Sequence, residues 1–423
     1  MELDLEDFDI VTCNFPPKPW AVEKIDGKVS CDLTSYDAPT SFDMDILLHS
    51  NLHILRLFTD NLCSIPNDIG NLKCLEELIL CHFESRTHSN LTQLPVTLKK
   101  LRNLKRLDVR RNPLLKFPSQ LTSLVNLEEL HVNDCKLSSL PDKLEQLQKL
   151  KVLDLSNNNF ESLPKCVTKL QNLVRLYASD GKLETLCMEI GNLTKLERLQ
   201  LTNNQLTSLP NELFDLVNLK KLHLNNNCLT SLSEKVNQLV NLEYLVLNGN
   251  KLTKLPDTMG NLKELCYLNL HENRLTRLPE SLTNLTKLET MLVGNNPLQV
   301  PPLYVCNQGI SSIRDYFKAM RNTCEIHSKR LKVVLLGESM AGKTSLVKAL
   351  VEGEACEIDK NDRTFGVVFY YWKPEPNVDE LELLLVDCAG QRKYQMTHQL
   401  FLSEGINMHC YCTTHTCIYS IYN

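Results

Sequence analysis

From Leu52 onward the apolar residues fall into one recurring pattern, L-x-x-L-x-L-x-x-N-x-L-x-x-L-P. It restarts at Leu52, Leu75, Leu104, Leu127, Leu150, Leu173, Leu196, Leu219, Leu242, Leu265 and Leu288, eleven copies in which nine of the ten steps are 23 residues. The step from Leu75 to Leu104 is 29, which places the additional residues within 81–90. In Leu196-x-x-Leu199-x-Leu201 the two-residue alternation predicts a short strand whose leucines face a core. The Asn three residues later leaves the strand at a tight bend, where its amide can bond backbone groups turned away from water. That Asn is present as Asn112, Asn158, Asn204, Asn227, Asn250, Asn273 and Asn296; Cys135 substitutes for it, and Asp60, Phe83 and Gly181 mark irregular turns. The Leu-Pro pair, as in Leu209-Pro210, is expected to stop the extended segment and lead into a helical turn on the outer side.

One such unit cannot bury its apolar face alone, so the copies must stack and share one parallel sheet. The expected fold class is α/β, with a leucine-rich-repeat solenoid over 52–301. The non-leucine strand positions line a concave face. One column runs Glu77, Arg106, Glu129, Val152, Arg175, Arg198, Lys221, Tyr244, Tyr267 and Thr290, and its neighbour includes Asp108, His131, Asp154, Tyr177 and His223. Arg175, Arg198, Lys221, Tyr244 and Tyr267 are the candidate footprint of a protein partner, because Arg and Tyr are enriched at binding hot spots. Residues 1–51 read as an acidic leader and a degenerate N-terminal cap, with an echo of the repeat from Val29 to Tyr36. After Pro301-Pro302, the spacing of Ile310, Ile313, Phe317 and Met320 predicts a capping helix over about 310–321, within a cap-and-hinge segment 302–329.

Composition narrows the setting. The chain has 423 residues, 43% hydrophobic content and a formal net charge of −5, without the basic excess of a nucleic-acid binder. An acidic N-terminus is unlike a signal peptide or presequence, and no apolar run approaches the roughly 18 residues of a membrane span. The 17 cysteines are dispersed and odd in number, which fits reduced thiols, and the expected location is cytoplasmic.

A different chemistry follows the repeats. The apolar stretch Leu331–Leu336 runs into Gly337-Glu338-Ser339-Met340-Ala341-Gly342-Lys343-Thr344, a complete G-x-x-x-x-G-K-[ST], and Ser345–Leu350 reads as a helix. Strand, glycine loop and helix in that order form a P-loop, whose backbone N–H groups point at phosphate oxygens. Lys343 would reach the β- and γ-phosphates and the Thr344 hydroxyl would ligate Mg²⁺. Arg363-Thr364-Phe365-Gly366 precedes a strand over 367–372, and a second apolar strand, Leu383–Asp387, ends in an acid followed by Cys388-Ala389-Gly390-Gln391. The Asp would lie near the metal, Gly390 would follow the γ-phosphate, and Gln391 is placed to orient a water.

Repeats, capping helix, P-loop, Thr364 and the D-C-A-G-Q run with Tyr394, Thr397-His398 and Phe401-Leu402 together resemble the Roco family, most nearly its kinase-lacking, malignant-fibrous-histiocytoma-amplified-sequence type. The resemblance implies a Ras-like Roc GTPase domain, partial over 330–405, that binds GTP or GDP with Mg²⁺ in a protein signalling through partners. It implies nucleotide contacts at Gly337 to Ser345, Thr364, Asp387 and Gly390, metal ligation at Thr344, Thr364 and Asp387, and a catalytic role for Gln391. The chain departs from the family after Gly405. The N/T-K-x-D motif that reads guanine does not occur, a Ras-like sheet needs about six strands where about three are evident, and 406–423 reads as an aberrant tail. That tail contains His409, Cys410, Cys412, His415 and Cys417 but no paired C-x₂-C, so it is read as an alternative end of a C-terminally truncated chain rather than a zinc site. Two functions remain open: a GTP-binding switch with a recognition arm, or an interaction scaffold with an inert GTPase segment.

Overall fold

In the computed structural model the described residues are 21–25, 27–35, 42, 44–59, 62–81, 91–323, 330–337, 343–352, 367–372, 382–388, 407–412 and 417–422. They belong to two compact units, Met1–Lys318 and Ala319–Asn423.

The first unit is organised by one sheet that grows a strand per repeat. Its strands are β1 (Ala21–Ile25), β2 (Lys28–Ser35), β3 (Leu52–Thr59), β4 (Glu77–Cys81), β5 (Arg106–Asp108), β6 (Glu129–His131), β7 (Val152–Asp154), β8 (Arg175–Tyr177), β9 (Arg198–Gln200), β10 (Lys221–His223), β11 (Tyr244–Val246), β12 (Tyr267–Asn269) and β13 (Thr290–Leu292). They lie side by side in chain order. The β1–β2 pair is antiparallel and the later pairs are parallel. The repeat echo at Val29–Ser35 forms β2, a real row of the solenoid, with Cys31 fully buried. Register follows the leucines: Leu176, Leu199, Leu222 and Leu245 are direct neighbours and all are fully buried. The longer step between repeats does not disturb it, since Leu78 still pairs with Leu107. One apolar core runs without interruption from Cys31 to Phe317.

On the side away from the strands each repeat makes a 3₁₀ turn, such as Asn211–Asp215, rather than a longer helix. The preceding proline has a different role from the one its position suggests. β9 ends at Gln200, well before Pro210, and the proline instead caps the outer turn at φ −66°, close to its fixed value. The turn closes on a buried leucine, where Leu216 N–H donates to Leu213 O.

The bend asparagines carry the polar part of the core. Asn227 Nδ2 donates to Leu201 O at 2.9 Å and Leu224 O at 3.0 Å, while its Oδ1 accepts from Leu206 N–H at 3.0 Å. Asn250 donates to the same Leu224 O and Asn204 to the same Leu201 O, so consecutive asparagines share carbonyls in a continuous chain. At the Cys135 row the thiol takes over, donating to Val109 O at 3.2 Å. A second, exposed asparagine series, not singled out in the sequence, ties the outer edges together. Asn126, Asn172, Asn218 and Asn241 each donate to a carbonyl one repeat back at 2.7–2.8 Å.

Just before the strands, charges alternate from row to row. Glu76 receives Lys28 at 2.8 Å and Lys105 at 2.9 Å, and these two ammonium donors pull its carboxyl down to about 2. Lys151 meets Glu128 at 2.6 Å, and Lys220 meets Glu197 at 3.0 Å.

The last repeat is closed by α1 (Leu303–Cys306) and α2 (Ile310–Thr323). Ile313 and Phe317 of α2 are buried, and Arg314 donates to Thr283 O and Leu285 O at the repeat's open edge. Met320, counted with the apolar stripe from its spacing, is exposed because α2 has by then run past the repeat.

The second unit holds a five-stranded sheet with β14 (Arg330–Gly337), β15 (Val367–Trp372), β16 (Glu382–Cys388), β17 (Asn407–Cys412) and β18 (Cys417–Tyr422), in the order β15-β16-β14-β17-β18. α3 (Lys343–Glu352) follows β14 and packs against β15, β16 and β14, with Val347 buried. β14 is parallel to both β16 and β17, while β15 and β18 are antiparallel to their neighbours. Three strands are evident from apolar runs, but five are present. The polar segment beginning at Asn407 takes the place beside β14 where an apolar strand is expected, pairing Val334 with His409 and Leu335 with Cys410. Its one strand signal is the two-residue spacing of Met408, Cys410 and Cys412, which is easily masked by the polar Asn407 and His409.

Candidate partner-binding face and nucleotide site

The five residues singled out on the repeats lie in one straight row. Pairing is direct from Arg175 to Arg198, Lys221, Tyr244 and Tyr267, one residue per strand. Each stands beside a buried leucine, so the pleat turns it away from the core, onto the concave face of the sheet. Arg198 lies over the Tyr177 ring at 5.5 Å and Lys221 over the Tyr244 ring at 4.9 Å. Tyr244 and Tyr267 stack with centroids 6.0 Å apart and planes inclined by 28°. Tyr177 therefore belongs with this row, although it is two residues along its strand from Arg175. The signal was a tyrosine one row before an arginine, offset by one pleat.

Toward the N-terminus the same face has another character. Arg56 bonds Glu77 at 2.6 Å, Arg106 faces Glu129 at 3.5 Å, and Arg110 meets the fully buried Asp108 at 2.9 Å. His131 lies between Glu129 at 3.7 Å and Asp154 at 4.0 Å. Burial opposes its charge, but the neighbouring carboxylates of Asp154, Glu129 and Asp108 outweigh it and raise its pKa to about 9. His131 is thus an imidazolium in a carboxylate cage, and each cation of this half has its acid.

In the second unit the P-loop order is visible in the backbone. β14 ends at Gly337 and α3 starts at Lys343, with Thr344 and Ser345 in its first turn. The strand order reverses at β14, which has β16 on one side and β17 on the other. In open α/β sheets that reversal leaves a crevice at the carboxyl end of the strands, where ligands bind. Asp387 is next to the last residue of β16 and pairs with Leu335, so it reaches the same end of the sheet as Gly337. Glu338, Ser339, Met340, Ala341, Gly342, Thr364, Gly390 and Gln391 lie outside the described residues. Among the described residues no cluster of three or more His, Cys, Asp or Glu is arranged to hold a metal, and no helix is long and apolar enough to cross a membrane.

Comparison with known proteins agrees with this division. Residues 119–231 match the family described as leucine-rich repeat region, and 240–298 match leucine rich repeat. Residues 332–417 match "Ras of Complex, Roc, domain of DAPkinase", a stretch that includes most of β14 and all of α3, β15, β16 and β17. A leucine-rich-repeat protein of Leptospira interrogans is similar at 33% identity and a TM-score of 0.54, covering 63% of this chain and 72% of that one. The "Malignant fibrous histiocytoma-amplified sequence 1 homolog" of Xenopus tropicalis is 32% identical over 134 residues, which is 29% of this chain and 13% of that protein. A "Roc-COR-CHAT protease" of an unknown prokaryotic organism is 30% identical over 131 residues, or 27% of this chain and 12% of that protein. The chain thus aligns with only about an eighth of the length of these curated relatives. It belongs to the leucine-rich-repeat proteins and, with a Roc domain following the repeats, has a Roco-type architecture.

Proposed function

We propose that this protein is a Roco-type signalling protein that binds protein partners on the concave sheet face of its repeats and binds GTP or GDP with Mg²⁺ at its Roc P-loop. The observation that carries the second part is the placement of Gly337, Lys343, Thr344 and Asp387. A glycine ends the central strand, a lysine and a threonine open the next helix, and an acid stands one residue before the end of the adjacent parallel strand. This donor set fits a nucleotide with magnesium: backbone N–H groups and Lys343 for phosphate oxygens, Thr344 and Asp387 for the cation. Bound magnesium would neutralise charge on the β- and γ-phosphates. Thr364, Gly390 and Gln391 are assigned from the motif alone, the first two beside the γ-phosphate and Gln391 orienting water for hydrolysis.

Fluorescent GTP titrated into the full chain should bind saturably at micromolar concentration or tighter. Removing Mg²⁺ should weaken that binding, and Lys343→Ala should abolish it. ATP that competes equally with GTP would break the guanine reading. No saturable binding would leave the alternative, an interaction scaffold whose GTPase segment is inert. A cytoplasmic setting, proposed from the dispersed cysteines, is tested by expressing the tagged chain and imaging it.

A further inference from the structure

The chain of bend asparagines breaks at two rows within its length, Cys135 and Gly181. From Asn204 onward each asparagine follows one rule. It donates to the carbonyl 26 residues back and to the one 3 residues back, and it accepts from the N–H 21 residues back; for Asn204 these are Ala178 O, Leu201 O and Leu183 N–H. Carried to position 181, the rule names Leu155 O, Ala178 O and Phe160 N–H, but the residue there is glycine. At the Cys135 row the protein supplies replacements. The thiol donates to Val109 O, and the amide that needs an acceptor, Leu114 N–H, turns back to Asn112 O at 2.7 Å. Neither device operates at Gly181, and Phe160 N–H has no acceptor among the described residues.

A second unsatisfied group stands at the same place. Ser179 is 5% exposed, and its buried Oγ has no partner among the described residues. Its own N–H donates to Ser156 Oγ at 3.1 Å, so only the hydroxyl is left over. Leu155, Phe160, Ala178, Ser179 and Gly181 line one small cavity of about 10 Å³, close to the volume that a single water needs. Cavities that stay dry are apolar, whereas this one has a hydroxyl and backbone polar groups in its wall. Its size excludes a hydrated ion or an organic molecule, and its lining carries no charge to hold one.

We infer that the Gly181 row binds one internal water molecule, which takes the part of the missing asparagine amide. It accepts from Phe160 N–H, donates to Ala178 O, the carbonyl an asparagine would reach within its own row, and shares a hydrogen bond with Ser179 Oγ. Three partners are the usual number for a buried water, and leaving such groups unpaired is costly. The site lies in the bend directly after β8, the strand of Arg175 and Tyr177. One row of the proposed partner face is therefore fastened by an exchangeable molecule instead of a side chain.

A high-resolution crystal structure of the full chain should show a water about 2.7–3.2 Å from both Phe160 N and Ser179 Oγ. In solution, oxygen-17 relaxation dispersion counts the waters that reside inside a protein, and Gly181→Asn should lower that count by one. The added Cβ would lie 2.9 Å from Asn204 Oδ1, the end of a side chain, so a small shift admits it, as Asn204 and Asn227 already coexist in adjacent rows. Ser179→Ala removes one partner without adding atoms. It should lower the occupancy of the water in the crystal, and it keeps the test decisive if Gly181→Asn does not fold. A cavity without density overturns the inference, as does a Ser179 Oγ bonded to a protein carbonyl in its place. So does a water count that neither substitution changes.

Discussion

The shared-carbonyl chain predicts that two asparagines with the same place in the repeat differ sharply in importance. Replacing Asn227 by Ala removes its donors to Leu201 O and Leu224 O, but each carbonyl keeps a second asparagine, Asn204 on the first and Asn250 on the second. The group stranded outright is the Leu206 N–H. At Asn158 the flanking rows carry Cys135 and Gly181, so there is no second asparagine on Val132 O or Leu155 O. Its Oδ1 also accepts from two amides, Cys135 N–H at 3.2 Å and Leu137 N–H at 2.8 Å. Asn158→Ala therefore strands two N–H groups and strips two carbonyls. With each orphaned buried group costing about 1–3 kcal/mol, Asn227→Ala should cost about 2 kcal/mol and Asn158→Ala at least twice that. The void left by the side chain is the same in both and cancels in the comparison. Urea unfolding followed by circular dichroism measures the two losses, provided the slope with denaturant is unchanged. Hydrogen exchange should show the Cys135 and Leu137 amides deprotected in Asn158→Ala, and the Leu206 amide deprotected in Asn227→Ala. Equal destabilisation by the two substitutions would refute the carbonyl-sharing argument.

Two further outcomes follow from buried groups. His131, raised from 6.5 to about 9, stabilises the fold fully below about 6.5 and loses that contribution as pH rises through about 9. The shift corresponds to about 3 kcal/mol, so native protein should exceed His131→Gln in stability by about that much at pH 6 and by little at pH 9.5; a pH-independent gap would contradict the caged imidazolium. Burial pushes the Cys135 thiol up to about 12, whereas Cys63 is exposed, so iodoacetamide should label Cys63 and leave Cys135 unmodified in the native protein. Early modification of Cys135 would mean that its row opens.

The solenoid was legible because its signal is repeated: the leucine period fixes the strands, their register and the row from Arg175 to Tyr267. What escaped was set between repeats rather than within one. A single unit does not reveal that Leu224 O serves both Asn227 and Asn250, nor that Asn218 reaches Thr194 O. The role of Pro210 was misplaced because the chain leaves the strand at the bend around Asn204, through side-chain hydrogen bonds that a pattern of apolar positions does not record. In the second unit the apolar strands β14 and β16 were evident, while Asn407–Cys412 was not. A strand finished by backbone pairing needs little hydrophobic alternation of its own. The P-loop motif located its own ends, Gly337 at the close of β14 and Lys343 at the start of α3, because those two residues mark a strand-to-helix junction without needing an apolar pattern.

The alternating charges beside the strands give the solenoid a kind of parity. Glu76, Lys105, Glu128 and Lys151 occupy successive rows, and Glu197, Lys220 and Glu243 resume the alternation after Val174. Excising one repeat within such a run brings two acids or two bases face to face, while excising two restores opposite partners. Each exposed pair is worth only about 0–1 kcal/mol, so the bias is small at any single junction. It nevertheless makes gain or loss of repeats easier in pairs than singly, a counting rule written on the surface of a core that is indifferent to the number of its leucine rows.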